Sequence, residues 1–372
     1  MSTLDVHVYS SIDAVSEGQW NNVVTQSDQG SVFHRHEWLR AVEDTLPYTP
    51  RHVVVTKSGN PIAVFPNFVT DIDLPTGAAL VENLGFVPNF LSEAASTSRL
   101  FEEQPLKRLI SATPGYGGPV VTTDETESLD LMFDTLARVN GRNILFHTIK
   151  AKDPSYMRYG KYLAKHGYEP KLTDCRFELH LTDEWEDIER RMDKERRKSL
   201  RKAHENDVSV HEAELTAAEI TATHEAYIEN MERVRGHTYP LSFFETVASA
   251  LPERMKIFVA EANGDEIGRY VHFLDDEQET MIYYFSAIGD VSNFDYYPAE
   301  LLHEHAIKWG KENGYRYYDF GSTGSTYTDG IFKAKEKYGG RPVPTLQWDK
   351  GQSPGLWHLY KFARTAYRKT AY

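Results

Sequence analysis

The segment richest in chemically usable groups is Tyr317-Tyr-Asp-Phe-Gly-Ser-Thr-Gly-Ser-Thr-Tyr327, followed by Gly330-Ile-Phe-Lys-Ala-Lys-Glu-Lys-Tyr-Gly-Gly340. It reads as a strand entering a Gly/Ser/Thr loop, then a short lysine-rich helix closed by Gly-Gly. Backbone N–H groups and hydroxyls around Gly321 and Ser322 suit a phosphate or a developing oxyanion. Lys333 supplies a fixed positive charge nearby, and Tyr327 a hydrogen-bond donor. Asp319 reads either as a proton acceptor or as a structural residue tying down the loop. The segment matches neither G-x-x-x-x-G-K-[ST] nor G-x-G-x-x-G, so on composition alone a plain surface turn serves as well as a binding loop.

A second candidate is Arg190-Arg-Met-Asp-Lys-Glu-Arg-Arg-Lys-Ser-Leu-Arg-Lys-Ala203. Helical spacing puts Lys194, Arg197 and Arg201 on one face at i, i+3, i+7. The chain has 41 Lys+Arg against 55 Asp+Glu, a net charge of −14, so a concentrated basic stripe marks where an anion would be drawn. Glu189, Asp193 and Glu195 make a solvated, charge-laced helix the other reading. A third candidate is Phe294-Asp-Tyr-Tyr-Pro-Ala-Glu-Leu-Leu-His303. Pro298 fits the first turn of a helix, whose free N–H groups and dipole can accept a pyrophosphate, as at any helix start. Tyr297 and Glu300 join Asp319 as candidate proton acceptors. His34/His36 and His303/His305 are spaced i, i+2, on different helix faces, and no H-E-x-x-H occurs, so no metal site is expected. The absence of G-x-S-x-G argues against a serine nucleophile. Cys175 falls within a predicted strand, as a small buried hydrophobe.

The elements that must hold these groups are legible in outline. The 372 residues suffice for two domains, and at 40% hydrophobic they can fill two cores. The acidic balance argues against a protein that coats nucleic acid. No stretch approaches the ~20 apolar residues of a membrane span, and the first residues carry no signal-peptide pattern, so a cytoplasmic protein is expected. A single cysteine excludes an internal disulfide or a multi-thiolate metal site. Val53–Phe65 and Phe258–Tyr270 both read as strand, Gly-containing turn, strand. In each half a helix, a Gly and a short strand follow: Glu127–Asn140, Gly141, Ile144–Ile149, and Ala299–Asn313, Gly314, Tyr315–Phe320. The expectation is a duplicated α/β unit, with a Gly/Pro-rich insertion between Asp71 and Thr123 in the first copy. Strand Thr173–Leu181 closes the first half, and a charged helix from Glu184 to about Glu205 opens the second. In the tail, 351–372, Leu356, Leu359, Tyr360, Ala363 and Tyr367 share one helical face, beside Lys361, Arg364, Arg368 and Lys369. That face is expected to pack on the protein's own domain. The other reading is peripheral docking on the inner face of an anionic membrane.

Taken together, Tyr-Asp-Phe-Gly-Ser (318–322), Gly-Ile-Phe-Lys (330–333), Lys-Tyr-Gly-Gly (337–340) and Pro-Val-Pro-Thr-Leu (342–346) resemble the closing signature of FemAB-like proteins of the GNAT acyltransferase superfamily. Arg197–Ala203 with Asp207–Val210 is similar to that family's basic helix and following strand, Tyr116-Gly-Gly-Pro119 to its first-domain signature, and 297–310 to its penultimate helix. The resemblance implies two tandem GNAT-like α/β domains of mixed sheet, 1–180 and 181–350, with the active cleft in the second or between the two. It implies acyl or aminoacyl transfer to an amine of a sugar-linked, peptide or small acceptor. The co-substrate would be acyl-CoA or aminoacyl-tRNA, with no tightly bound cofactor. Lys333, Arg197 and Arg201 carry over as phosphate contacts. The sequence lacks the inserted coiled-coil arm of some tRNA-dependent members, and its acidity disfavours a large tRNA footprint. Amide formation needs positioning, oxyanion stabilisation and proton removal, with no obligatory protein nucleophile. A non-catalytic GNAT-fold protein binding a nucleotide- or lipid-linked ligand is the alternative.

Overall fold

The computed structural model describes residues 4–72, 106–139, 144–151 and 154–353, and residues 355–358, 360–362 and 365 of the tail. The first half contains β1 (Leu4–Tyr9), α1 (Glu17–Gln26), α2 (His36–Thr45), β2 (Thr49–Pro50), β3 (His52–Lys57), β4 (Asn60–Phe65), β5 (Asn67–Asp71), β6 (Lys107–Ser111), β7 (Val120–Val121), α3 (Glu125–Val139), β8 (Ile144–Ala151), α4 (Gly160–Lys165) and β9 (Glu169–His180). The second contains α5 (Trp185–Arg191), α6 (Lys194–Glu205), β10 (Val208–Ala213), α7 (Ala217–Val234), α8 (Leu241–Ala250), β11 (Met255–Ala262), β12 (Asp265–Asp275), β13 (Thr280–Ala287), α9 (Pro298–Glu312), β14 (Tyr317–Gly324), α10 (Gly330–Glu336) and β15 (Arg341–Gly351).

The two hairpins hold corresponding places. β3 lies between β1 and β4, and β11 between β10 and β12. Both turns put two consecutive residues at positive φ, Ser58-Gly59 and Asn263-Gly264, the geometry that matches strand twist in a two-residue hairpin. β12 runs unbroken for 11 residues. Its first-half counterpart is cut at Pro66, which has no N–H to give a ladder. As a result β4 joins a four-stranded sheet, β1-β3-β4-β7, while β5 enters the large one.

Among the described residues the large sheet has eleven strands in the order β10-β11-β12-β13-β14-β9-β15-β8-β6-β5-β2. Two of its pairs are parallel, β6 with β8 and β13 with β14. Parallel neighbours need a crossover, and α3 and α9 lie on those two connections. The closing strands are exchanged. β9, from the first half, pairs with β14 of the second, and β15 pairs with β8 of the first. A shared core joins the halves as well: Trp38 meets Phe243 and Phe273 at centroid distances of 5.7 and 5.0 Å.

The charged helix expected from Glu184 to Glu205 is two helices. Met192 is extended and buried, and the Asp193 carboxylate caps the second helix by accepting from Glu195 N–H. Such a cap starts a new helix and does not continue the old one. Most of the Gly/Pro-rich insertion (73–105) and Gly141 lie outside the described residues, as do Leu359, Ala363, Arg364, Tyr367, Arg368 and Lys369 of the tail. Where the tail is described, Trp357 is buried 5.0 Å from the Phe146 ring, and Lys361 pairs with Glu169 at 2.9 Å. No helix among the described residues is long and apolar enough to cross a membrane.

Candidate functional site

The parallel ladder between β13 and β14 covers three pairs, Thr280↔Tyr317, Met281↔Tyr318 and Ile282↔Asp319, and then stops. Beyond it the register of β14 against β9 slips between Asp319 and Ser322. Gly321 sits in that slip at φ +73, and its N–H donates to Asp319 Oδ1 at 2.8 Å. A side chain there would be strained, and its Cβ would lie 2.6 Å from the Tyr283 carbonyl oxygen. Asp319 therefore ends the ladder by taking up a backbone donor at the point where the strands part.

Charge is concentrated at this split. The guanidinium of Arg176 on β9 is buried, with Nε 3.0 Å from Asp319 Oδ2 and Nη2 2.9 Å from Glu178 Oε1. The two carboxylates hold Arg176 above the ordinary arginine range against the pull of desolvation. Lys335 on α10 donates to Ser322 O at 2.9 Å and lies 5.7 Å from the Tyr283 ring centroid. Burial lowers its pKa from the usual 10.5 to about 8, with Asp319, Cys175 and Asp329 opposing the shift.

The first half contributes Tyr116, which is buried within electrostatic reach of Asp319, Arg176 and Ser322. Desolvation raises its phenol pKa, helped by the Asp319 charge. The glycines after it are steric requirements. A Cβ on Gly117 would lie 2.3 Å from His34 Nε2, and one on Gly118 would lie 2.7 Å from the Tyr156 ring. Gly118 N–H donates to Tyr156 Oη at 3.0 Å. The Lys150 ammonium stands 4.9 Å from the Tyr116 ring centroid.

On the other flank Arg196 reaches inward from α6, pairs with the buried Glu300 of α9, and lies 4.3 Å from the Tyr338 ring. Burial raises the Glu300 carboxyl pKa in spite of Arg196. Behind them Tyr318 Oη joins His303 Nδ1 at 2.7 Å and His272 Nε2 at 2.9 Å.

The structure gathers only part of the set read from sequence. Asp319, Gly321, Ser322 and Glu300 lie at or beside the split. Lys333 is exposed, and Lys335 two positions on is the lysine that reaches the loop. Tyr327 is 78% exposed. Arg201 is exposed, and Arg197 donates to the Arg190 carbonyl at 2.9 Å. The stripe at i, i+3, i+7 therefore faces outward, and its neighbour Arg196 faces the site. Tyr297 starts α9 at φ +57 and accepts from Lys202 Nζ at 3.3 Å. Sequence reasoning missed Arg176, Arg196, Lys335 and Tyr116 as site residues. One signal was available for Arg176, a lone cation in a strand whose alternate positions Cys175, Phe177 and Leu179 are apolar.

Residues 189–329 match the family model described as acetyltransferase (GNAT) domain. No curated protein matches the sequence. Among solved structures, FemX superposes with a TM-score of 0.67 at 12% identity, over 93% of this chain and 98% of its own. The C-terminal domain of a putative lysylphosphatidylglycerol synthetase from Agrobacterium fabrum gives 0.55 at 11%, over 94% of each chain. A tandem GNAT protein from the clavulanic acid biosynthesis pathway gives 0.51 at 11%, over 95% of this chain and 99% of its own. At such identities the likeness concerns the fold, and it spans both halves. The GNAT domain match spans α9 and the strands β13 and β14, which part to form the split, and the chain as a whole has the fold of FemX.

Proposed function

We propose that the split between β13 and β14 is the transfer site. There an acyl or aminoacyl group would pass from an activated donor, acyl-CoA or aminoacyl-tRNA, to the amine of a small, peptide or sugar-linked acceptor. The observation that carries this reading is Lys335, held beside Gly321 where the ladder ends, above the buried Arg176–Asp319 pair. In this reading residues 181–350 form the catalytic unit, and 1–180 supplies Arg176 and Tyr116.

The donor carbonyl lies next to Gly321, where no side chain stands in the way. The Lys335 ammonium faces the oxygen on which charge develops, and a fixed cation in a desolvated site stabilises that charge without reorganising. The acceptor amine attacks, the C–N bond forms, the C–S bond of acyl-CoA or the ester C–O bond of aminoacyl-tRNA breaks, and the departing thiolate or alkoxide takes the proton released by nitrogen. Positioning supplies the rest of the acceleration. Both oxygens of Asp319 are engaged, one by Gly321 N–H and one by Arg176, so we assign it a positioning role.

The test is calorimetric binding and transfer with acetyl-CoA, other acyl-CoAs and aminoacyl-tRNA on the full chain and on Lys335→Ala. One charge-assisted contact is worth about 1.5–3 kcal/mol, which is roughly a 10–150-fold loss. Transfer by Lys335→Ala at the full rate would remove the proposal. Saturable donor binding with no turnover of any amine would favour the non-catalytic reading.

A further inference from the structure

We infer that Lys335 is itself an acyl acceptor: in the absence of an acceptor substrate, its Nζ takes the acyl group from a thioester donor held in the split. This rests on the donor reading above and adds a covalent modification site that shuts the enzyme down.

The geometry is specific to this one lysine. Nζ is fixed by its bond to Ser322 O, three residues past the last pair of the β13–β14 ladder, Ile282↔Asp319. A Cβ on Gly321 would lie 3.6 Å from it, so the missing side chain leaves that flank of the amine bare toward the reacting group. The groups that face it are Asp319 on β14, Cys175 on β9, Asp329 at the start of α10, the Tyr283 ring on β13 and His303 on α9. Burial outweighs the two carboxylates and brings the ammonium to about 8. At pH 7 its neutral, nucleophilic fraction is then well above that of an ordinary lysine. Lys333, two residues earlier and exposed, is an internal control.

The step balances without any further reagent. The neutral Nζ attacks the thioester carbonyl, the C–N bond forms, the C–S bond breaks, and the departing thiolate takes the proton released by nitrogen. The amide that results carries no charge, so Lys335 can no longer stabilise an oxyanion, and the modification limits itself to one per site.

Two arms separate this inference from the donor reading. In the first, the full-length protein is treated with substoichiometric N-hydroxysuccinimide acetate, which needs no donor site, and acetylated peptides are quantified from pH 6.5 to 9. Lys335 should label at least about tenfold faster than Lys333, with a midpoint near pH 8. In the second, acetyl-CoA alone should give a single acetyl adduct at Lys335, absent in Lys335→Arg, with loss of transfer in proportion to the adduct. Labelling of Lys335 no faster than Lys333 overturns the inference. So does acetyl-CoA binding with no adduct at Lys335. Rapid labelling in the first arm with no acetyl-CoA binding in the second sinks the CoA donor reading and, with it, self-acetylation from CoA.

Discussion

The two parallel pairs of the large sheet, each bridged by a helix-containing crossover, end in corners of opposite character. In the first half β6 and β8 stay paired to Ile110↔Thr148. The corner beyond them is lined by Leu129 and Phe133 of α3, Ile149 and Ala151 of β8, and Tyr156, Tyr159 and Trp348. In the second half the corresponding corner, bounded by α9, β14, α10 and β9, holds Arg176, Asp319, Lys335, Arg196 and Glu300. Aromatic and aliphatic side chains line the first corner, with no charged residue in its lining. Buried charge in the second is expensive unless each group is paired, and a network of paired groups is the kind of place where pKa values shift. This contrast in buried charge is what supports the proposal that the second corner is the transfer site.

The largest effect should be on the bond between the halves. His34 and His147 in the first half and His272 in the second are buried and neutral, with pKa values lowered to about 4, 3 and 3. The unfolded chain binds these protons near 6.5 and the native chain only well below that. Stability from this source is therefore complete above about pH 6.5 and is lost as pH falls toward the folded values, by up to about 1.4 kcal/mol per pH unit for each group. Because β9 and β15 are exchanged, acid unfolding followed by circular dichroism and by tryptophan fluorescence should be one transition. Two separate midpoints would show that the halves are independent after all.

Arg176→Met should come next. It leaves Asp319 buried without its cation, while half-buried Glu178 keeps Arg341 at 3.9 Å, a change that costs about 3–5 kcal/mol in denaturant titrations. A cost under about 1 kcal/mol would mean that water replaces the guanidinium and the corner is wetter than drawn. Gly321→Ala meets a positive φ and a carbonyl 2.6 Å away, so about 1–3 kcal/mol and most of the transfer activity should be lost. Gly118→Ala strikes the Tyr156 ring at 2.7 Å in the first half. It should cost about 1–3 kcal/mol of stability while keeping more activity than Gly321→Ala. The reverse order of activities would place the chemistry in the first half. The smallest effect belongs to Lys333→Ala and Arg201→Ala. Their exposed charges should change transfer by less than about twofold, and a large loss in either would put the outward face of α6 and α10 in the site.

Much of the architecture was readable because it depends on local rules. The Ser58-Gly59 and Asn263-Gly264 turns announce both hairpins, and alternation in Thr173–Leu181 marks β9, with Cys175 buried at 6% exposure as expected. Which residue of a lysine-rich turn faces inward was not readable. Lys333, Lys335 and Lys337 share one short stretch, and only the slip in β14 and the place of Tyr283 select Lys335. The same holds for Arg196 over Arg197 and Arg201. A charge periodicity shows which residues share a face, and the break at Met192-Asp193 resets which face looks inward.

The sequence by itself determined both Gly-containing hairpins, β8, β9 and α9 in outline, because turn sterics and side-chain periodicity act over a few residues, and the class of chemistry was legible only through a resemblance in motif order. The tertiary structure alone decided that the halves exchange their last strands, that Arg176 of one half pairs with Asp319 of the other, and that Tyr116 joins them. Those contacts join residues 60 to 203 positions apart. Their energies come from desolvation and pairing in a shared interior, and no local pattern encodes that interior.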